Sequence, residues 1–156
     1  MEKIWAPWRN KYVTLKTKKK CIFCIDKKSA SGDKKKYILK RNKYCFSLLN
    51  LYPYNNGHVM VAPYRHVGTL EMLKERELLD LIGLVNHTKK KMDKSIGSMG
   101  YNIGVNIGKA AGAGFPDHVH MHIVPRWEGD TNFMPVLSNT KVIAASLDDM
   151  FDLLKG

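Results

Sequence analysis

Three histidines at two-residue spacing stand in the run Asp117-His118-Val119-His120-Met121-His122-Ile123. Side chains alternate across an extended strand, so this spacing predicts three imidazoles on one face, about 6.7 Å between successive Cα atoms. Val119, Met121 and Ile123 then turn to the other face and into a core. A helix would scatter the same rings. Three imidazoles on one face can hold a metal, or one can attack an electrophile while its neighbours support it. Cys21 and Cys24 add two thiols at Cys-x-x-Cys spacing. That spacing suits a zinc site or a redox pair, although no βαβ pattern surrounds it. Just before the histidines, residues 108–116 form a glycine-rich loop. Such a loop lets backbone N–H groups approach a phosphate closely, with Gly112 and Gly114 as the points of approach.

Several elements must position these groups. Residues 37–41 and 44–49 read as strands joined by a turn at Asn42-Lys43, and residues 58–62 as a third strand. Cys45, in the second of these, reads as a small core residue. Residues 75–96 have helical spacing of Leu78, Leu81, Ile82, Val85 and Met92, which predicts a long helix with those side chains in the core. His87, on the same helix, reads as a surface residue. Residues 101–107 alternate, with Ile103, Val105 and Ile107 on one face and Asn102, Gly104 and Asn106 on the other, a polar, thin-walled face suited to a ligand. Ser146 is the N-cap of a short C-terminal helix. Residues 1–12, with Trp5, Pro7 and Trp8, read as an extended arm strapped over the core. The pattern predicts an α+β domain, an antiparallel sheet with helices on one face. One domain spans residues 1–156: an arm and Cys-x-x-Cys segment (1–36), a core (37–143) and a C-terminal helix (144–156).

Composition narrows the partners. The net charge is +12, from 26 basic and 14 acidic residues, and such a field attracts polyanions. Lysines cluster at 16, 18, 19 and 20, at 34 to 36 and at 89 to 91. A polyphosphate nucleotide fits this field, as do RNA and simple solvation, but no nucleic-acid-binding motif is visible. No apolar run approaches the roughly 20 residues needed to span a bilayer, and no secretory leader opens the chain. A cytoplasmic protein without a membrane partner is expected.

The His-x-His-x-His run followed by two apolar residues resembles the signature of the histidine triad superfamily of nucleotide hydrolases and transferases. Trp5-Ala6-Pro7-Trp8-Arg9, Cys21-x-x-Cys24, residues 57–63 (Gly-His-Val-Met-Val-Ala-Pro) and residues 125–133 (Pro-Arg-Trp-Glu-Gly-Asp-Thr-Asn-Phe) extend the likeness. Together they look most like the branch of bacterial diadenosine tetraphosphate phosphorylases (ATP adenylyltransferases). The resemblance implies the histidine triad fold, usually a homodimer. It implies a structural zinc on Cys21, Cys24, His66 and His118. It implies His120 as the nucleophile that forms a covalent nucleotidyl-histidine, and His122 as a hydrogen-bonding partner of phosphate or the leaving oxygen. Asn50 matches a residue that contacts ribose, Asn106 one that contacts phosphate, and Trp127 an aromatic of the phosphorylase branch. His58 is placed near the site, where a satisfied core histidine is the competing reading. The expected reaction is cleavage of a dinucleoside polyphosphate by phosphate to ADP and ATP. Hydrolysis of such nucleotides or of nucleoside phosphoramidates is the first alternative, and a non-catalytic nucleotide- or RNA-binding module the second. The loop departs from both enzyme patterns: it reads Ala111-Gly112-Ala113-Gly114, without the Gln of dinucleoside triphosphate hydrolases or the Gly-Ser of phosphorylases.

Overall fold

Alternating apolar segments and one long amphipathic helix fold as their periods require. The structure, a computed structural model, describes residues 21–131 and 141–156. The tryptophan arm, the lysines at 16, 18, 19 and 20 and the Asn132-Phe133 end of the branch segment lie outside the described residues. In chain order the elements are β1 (Ile38–Arg41), β2 (Cys45–Leu49), β3 (Val59–Pro63), α1 (Glu75–Ile96), β4 (Gly100–Val105), β5 (Met121–Arg126) and α2 (Leu147–Lys155), with short 3₁₀ turns between. The sheet runs β1-β2-β3-β5-β4, with every neighbouring pair antiparallel.

The two sheet faces bury different sets of side chains. Leu49, Val59, Val61 and Ile123 meet Leu81, Leu84, Val85 and Met92 of α1 and Phe151 and Leu154 of α2. Cys45 is fully buried in this core. Both helices thus cover one face. Phe46, Leu48, Met60 and Ala62 point the other way, onto Phe23 and Ile38.

The α1 span is the one its periodicity predicts, and local chemistry sets its ends. The Glu77 carboxylate accepts the Lys74 backbone N–H and pairs with Arg65, so the first turn is closed. Gly97 follows the last turn in the left-handed region at φ 55°. Ser146 caps α2 as expected, its Oγ accepting from the Asp149 N–H.

Two expectations need correction. Ile82 is 47% exposed; the buried stripe passes through Leu81, Leu84, Val85, Thr88 and Met92, and Ile82 sits on its flank. The two faces of β4 divide as read, Ile103 standing opposite Ile123 and Gly104 opposite His122, and Ile103 and Ile107 are exposed because β4 is an edge of the described sheet. The triad is not one continuous strand: the ladder begins at Met121, so His118 and His120 lie on the approach to β5. Alternation nevertheless survives, since Val119 and Ile123 are in the helix-side core and the histidines are not.

Candidate active site and metal cluster

Two loops hold the approach to β5 in register. The Val119 N–H donates to the Val67 carbonyl at 2.6 Å. A Cβ on Gly68 would sit 3.0 Å from the Pro116 carbonyl oxygen, so a glycine there permits the close passage of the two backbones. Arg65, beside His66, is fixed by its fork onto Glu77 and by the Met72 carbonyl. The His66 loop and the triad segment are thereby pinned together.

His118 is fully buried. Its Nε2–H donates to the Pro63 carbonyl at 2.9 Å, which leaves Nδ1 with a lone pair. That Nδ1 lies 3.2 Å from His66 Nδ1 and 3.3 Å from Cys21 Sγ, and Cys24 Sγ lies 3.2 Å from His66 Nδ1. The four ligand atoms all fall within 4.8 Å of one another. Two nitrogens bound tetrahedrally at about 2.0–2.1 Å are about 3.3 Å apart, so the cluster has the size a small cation requires. The second nitrogen of His118 is already anchored on a carbonyl, as metal-bound histidines require.

The other histidines form a chain whose tautomers can be read from one end. The Tyr54 N–H donates to His58 Nδ1 at 3.1 Å, and Asn50 Nδ2 lies 3.3 Å from the same nitrogen. His58 therefore carries its proton on Nε2 and donates it to His122 Nδ1 at 2.9 Å. His122 must then be protonated on Nε2, a buried atom with no hydrogen-bond partner among the described residues. His120 donates from Nδ1 to the His118 carbonyl at 2.8 Å, so its Nε2 keeps a lone pair. The His120 and His122 rings are 4.9 Å apart between centroids. A nucleophilic nitrogen and an unspent donor are thus side by side.

Burial sets the charge state. It lowers the pKa of His120, with the His118 carbonyl acting in the opposite sense. Burial, aided by His120, brings His122 down to about 4; burial, aided by His122 and His120, brings His58 down to about 3. The imidazoles are neutral at neutral pH, as a nucleophile must be.

The remaining sequence candidates divide. Asn50 sits against His58, with its Oδ1 also accepting from the Tyr52 N–H. Gly104 pairs with His122 across the β4–β5 ladder, which keeps the wall beside the third histidine thin. Asn106 follows β4 directly and is half-buried. Gly112 ends the 3₁₀ turn Lys109–Ala111 at φ 84°, and a Cβ at Gly114 would meet nothing within 4 Å. Trp127 directly follows β5, with its indole N–H donating to the Gly97 carbonyl at 3.0 Å. His87 is exposed, as expected. Two contributors were missed. Phe23 stacks on His120 with centroids 4.4 Å apart, and Tyr54 packs on His58 at 4.6 Å. The one hint of Phe23 was its place between the two cysteines.

Comparison with known proteins fits this geometry. The HIT domain model matches residues 31–129. AP-4-A phosphorylase of Mycobacterium tuberculosis is 33% identical over 99% of this chain and 83% of its own length. An adenosine 5′-monophosphoramidase of Schizosaccharomyces pombe is 35% identical over 68% of this chain and 74% of its own. The crystal structure of a Zn-bound histidine triad family protein from Mycobacterium smegmatis superposes with a TM-score of 0.63. It is 22% identical and covers 76% of this chain and 81% of that one, a likeness of fold.

Proposed function

The chain belongs to the HIT domain family, and from that membership we propose that it transfers nucleotidyl groups through His120. The substrate is a dinucleoside polyphosphate such as diadenosine tetraphosphate. The observation that carries the reading is the His120 tautomer, fixed with a bare Nε2 next to the unpartnered Nε2–H of His122. His120 Nε2 attacks the α-phosphorus, a P–N bond forms, and the bond to the bridging oxygen breaks with its electron pair leaving on ATP. The positive charge that develops on the His120 ring is stabilised by its Nδ1–H bond to the His118 carbonyl. His122 Nε2–H donates to the departing oxygen, which needs a hydrogen bond rather than a proton. An oxygen of inorganic phosphate then attacks the same phosphorus, the P–N bond breaks, and its pair returns to His120. The products are ATP and ADP.

The similarity to AP-4-A phosphorylase over nearly the whole chain supports phosphate as the acceptor. Water is the second reading, favoured by a loop that offers Ala113-Gly114 and no serine hydroxyl, and by the likeness to a monophosphoramidase. Asn50 would hold ribose, and Asn106 with the backbone at Gly112 and Gly114 would hold phosphate. Incubation with diadenosine tetraphosphate decides between the two. Phosphate-dependent ADP plus ATP supports phosphorolysis; AMP plus ATP at a rate indifferent to phosphate assigns the chain to the hydrolases. Gly114→Ser, which has room for its side chain, should raise the phosphate-dependent share.

The cluster of two sulfurs and two imidazoles is the donor set of a structural zinc, with Cys21, Cys24, His66 and His118 filling four positions. Bound there, zinc supplies cross-linking rather than Lewis acidity. A homodimer joined along the edge strand β4 would bury the exposed Ile103 and Ile107. Sedimentation of the wild type against Ile103→Lys tests it, a monomer in both cases counting against it.

A further inference from the structure

A second pocket, of about 190 Å³, opens on the sheet face opposite the histidines, between β1, β2, α1 and α2. Its lining includes Lys40, Ser47, His87, Thr88, Lys91 and Lys155 and contains no acidic side chain. Ser47 is 1% exposed, and its Oγ has no hydrogen-bond partner among the described residues. Buried hydroxyls are rarely left so, because an unmade bond costs the full desolvation of the group.

The backbone around Ser47 is built to bring charge to it. Ile38 pairs with Leu48, but Lys40, not Leu39, pairs with Ser47, so β1 carries a bulge of one residue. Without the bulge Lys40 would share the face of Ile38; with it, Lys40 is turned to the helix side beside Ser47. The Lys155 ammonium is held in place by the Ile38 and Leu39 carbonyls at 3.1 and 3.0 Å. The Lys91 ammonium is held by the Lys155 carbonyl at 3.1 Å and by the Gly156 backbone oxygen. Each retains a hydrogen to donate. Three ammonium groups, a buried hydroxyl and a threonine therefore converge, with no acidic side chain among the described lining residues and only Lys91 held by the Gly156 backbone oxygen. Burial and the neighbouring Lys40, Lys91 and Lys90 lower the pKa of His87, consistent with a positive field there.

We propose that this pocket is an anion site for a tetrahedral phosphate dianion, separated from the triad by the thickness of the sheet. Ser47 Oγ donates to one phosphate oxygen and the lysine ammoniums to the others. The group is either free inorganic phosphate or the terminus of a small phosphomonoester. The site stands whether the triad's acceptor is phosphate or water, since none of its residues belongs to the triad.

Amide NMR of the full chain, at constant ionic strength in chloride, tests the site with two probes: inorganic phosphate and glycerol 3-phosphate. Saturable shifts at Ser47, Lys40 and Thr88 with either probe support it, and which probe binds identifies the source. Lys40→Gln should weaken that binding about ten-fold, the scale of one lost charge-assisted contact, and leave shifts around His122 in place. Ser47→Ala should lose the phosphate-dependent rise in melting temperature without being less stable in phosphate-free buffer. Unsaturable shifts that chloride reproduces, or binding at these amides indifferent to Lys40→Gln, would overturn the proposal.

Discussion

At the scale of single residues the site is a problem in proton placement. One backbone N–H, that of Tyr54, fixes His58, and His58 fixes His122. One carbonyl, that of His118, fixes His120. With the nucleophile assigned to His120, His120→Asn should cut turnover at least about 10³-fold and leave nucleotide affinity near normal. A labelled nucleotidyl adduct should be trapped on the wild type and be absent from the variant; near-normal turnover by the variant would remove His120 from the mechanism. The neutral pair His58 and His122 also makes the fold acid-sensitive. An unfolded histidine binds its proton below about 6.5, whereas in the fold these two resist until about 3 and about 4. Between those limits the unfolded chain holds more protons, so stability falls as pH falls and is fully present above about 6.5. Each group contributes up to about 1.4 kcal/mol per pH unit. Denaturant melts at about pH 5 and pH 7 should show this slope, and His58→Gln should flatten it; an unchanged slope would mean that His58 is not held neutral.

At the scale of elements, the cysteine segment and the triad segment are fastened to each other. Cys21 and His118 are 97 residues apart in sequence and 3.3 Å apart in space. With zinc in the cluster, Cys21→Ser should remove several kcal/mol of the on the order of 10 kcal/mol that a structural zinc supplies. Metal analysis and thermal melts with a strong chelator check this, and a metal-free preparation with an unshifted melt would refute it. Gly68→Ala pushes on the Pro116 carbonyl instead and should cost about 1 kcal/mol, while displacing the approach to β5 and slowing turnover. Much of this was legible in the sequence where the signal is local. The α1 span follows from a 3.6-residue period, the Ser146 cap from its own two neighbours, and the facing of the histidines from alternation. What escaped depends on partners that sequence does not name. Ile82 is exposed because of what fails to cover it. The His58–His122 bond needs the β3–β5 register, in which Met60 stands opposite His122. The stacking of Phe23 on His120 joins residues far apart in the sequence. The bulge at Leu39 has no glycine or proline to announce it.

At the scale of the whole molecule, charge and topology carry the consequences. A net charge of +12 should speed capture of a polyanionic substrate over a range set by the Debye length, about 8–10 Å at physiological salt. Raising salt toward that level should lower kcat/KM more than kcat; a flat kcat/KM would mean that the lysines only solvate. Among the described residues no helix is long and apolar enough to cross a membrane. The strand order adds a consequence for biosynthesis. Among the described strands β5 is the last to leave the ribosome, yet it lies between β3 and β4, which are not joined without it. A nascent chain that stops short of the triad therefore has three paired strands with an open β3 edge, and a β4 with no described strand to pair with. The segment that holds the three histidines is also the one that joins the sheet. Premature termination before residue 118 should leave chains fit for chaperones and proteases rather than inactive but folded protein.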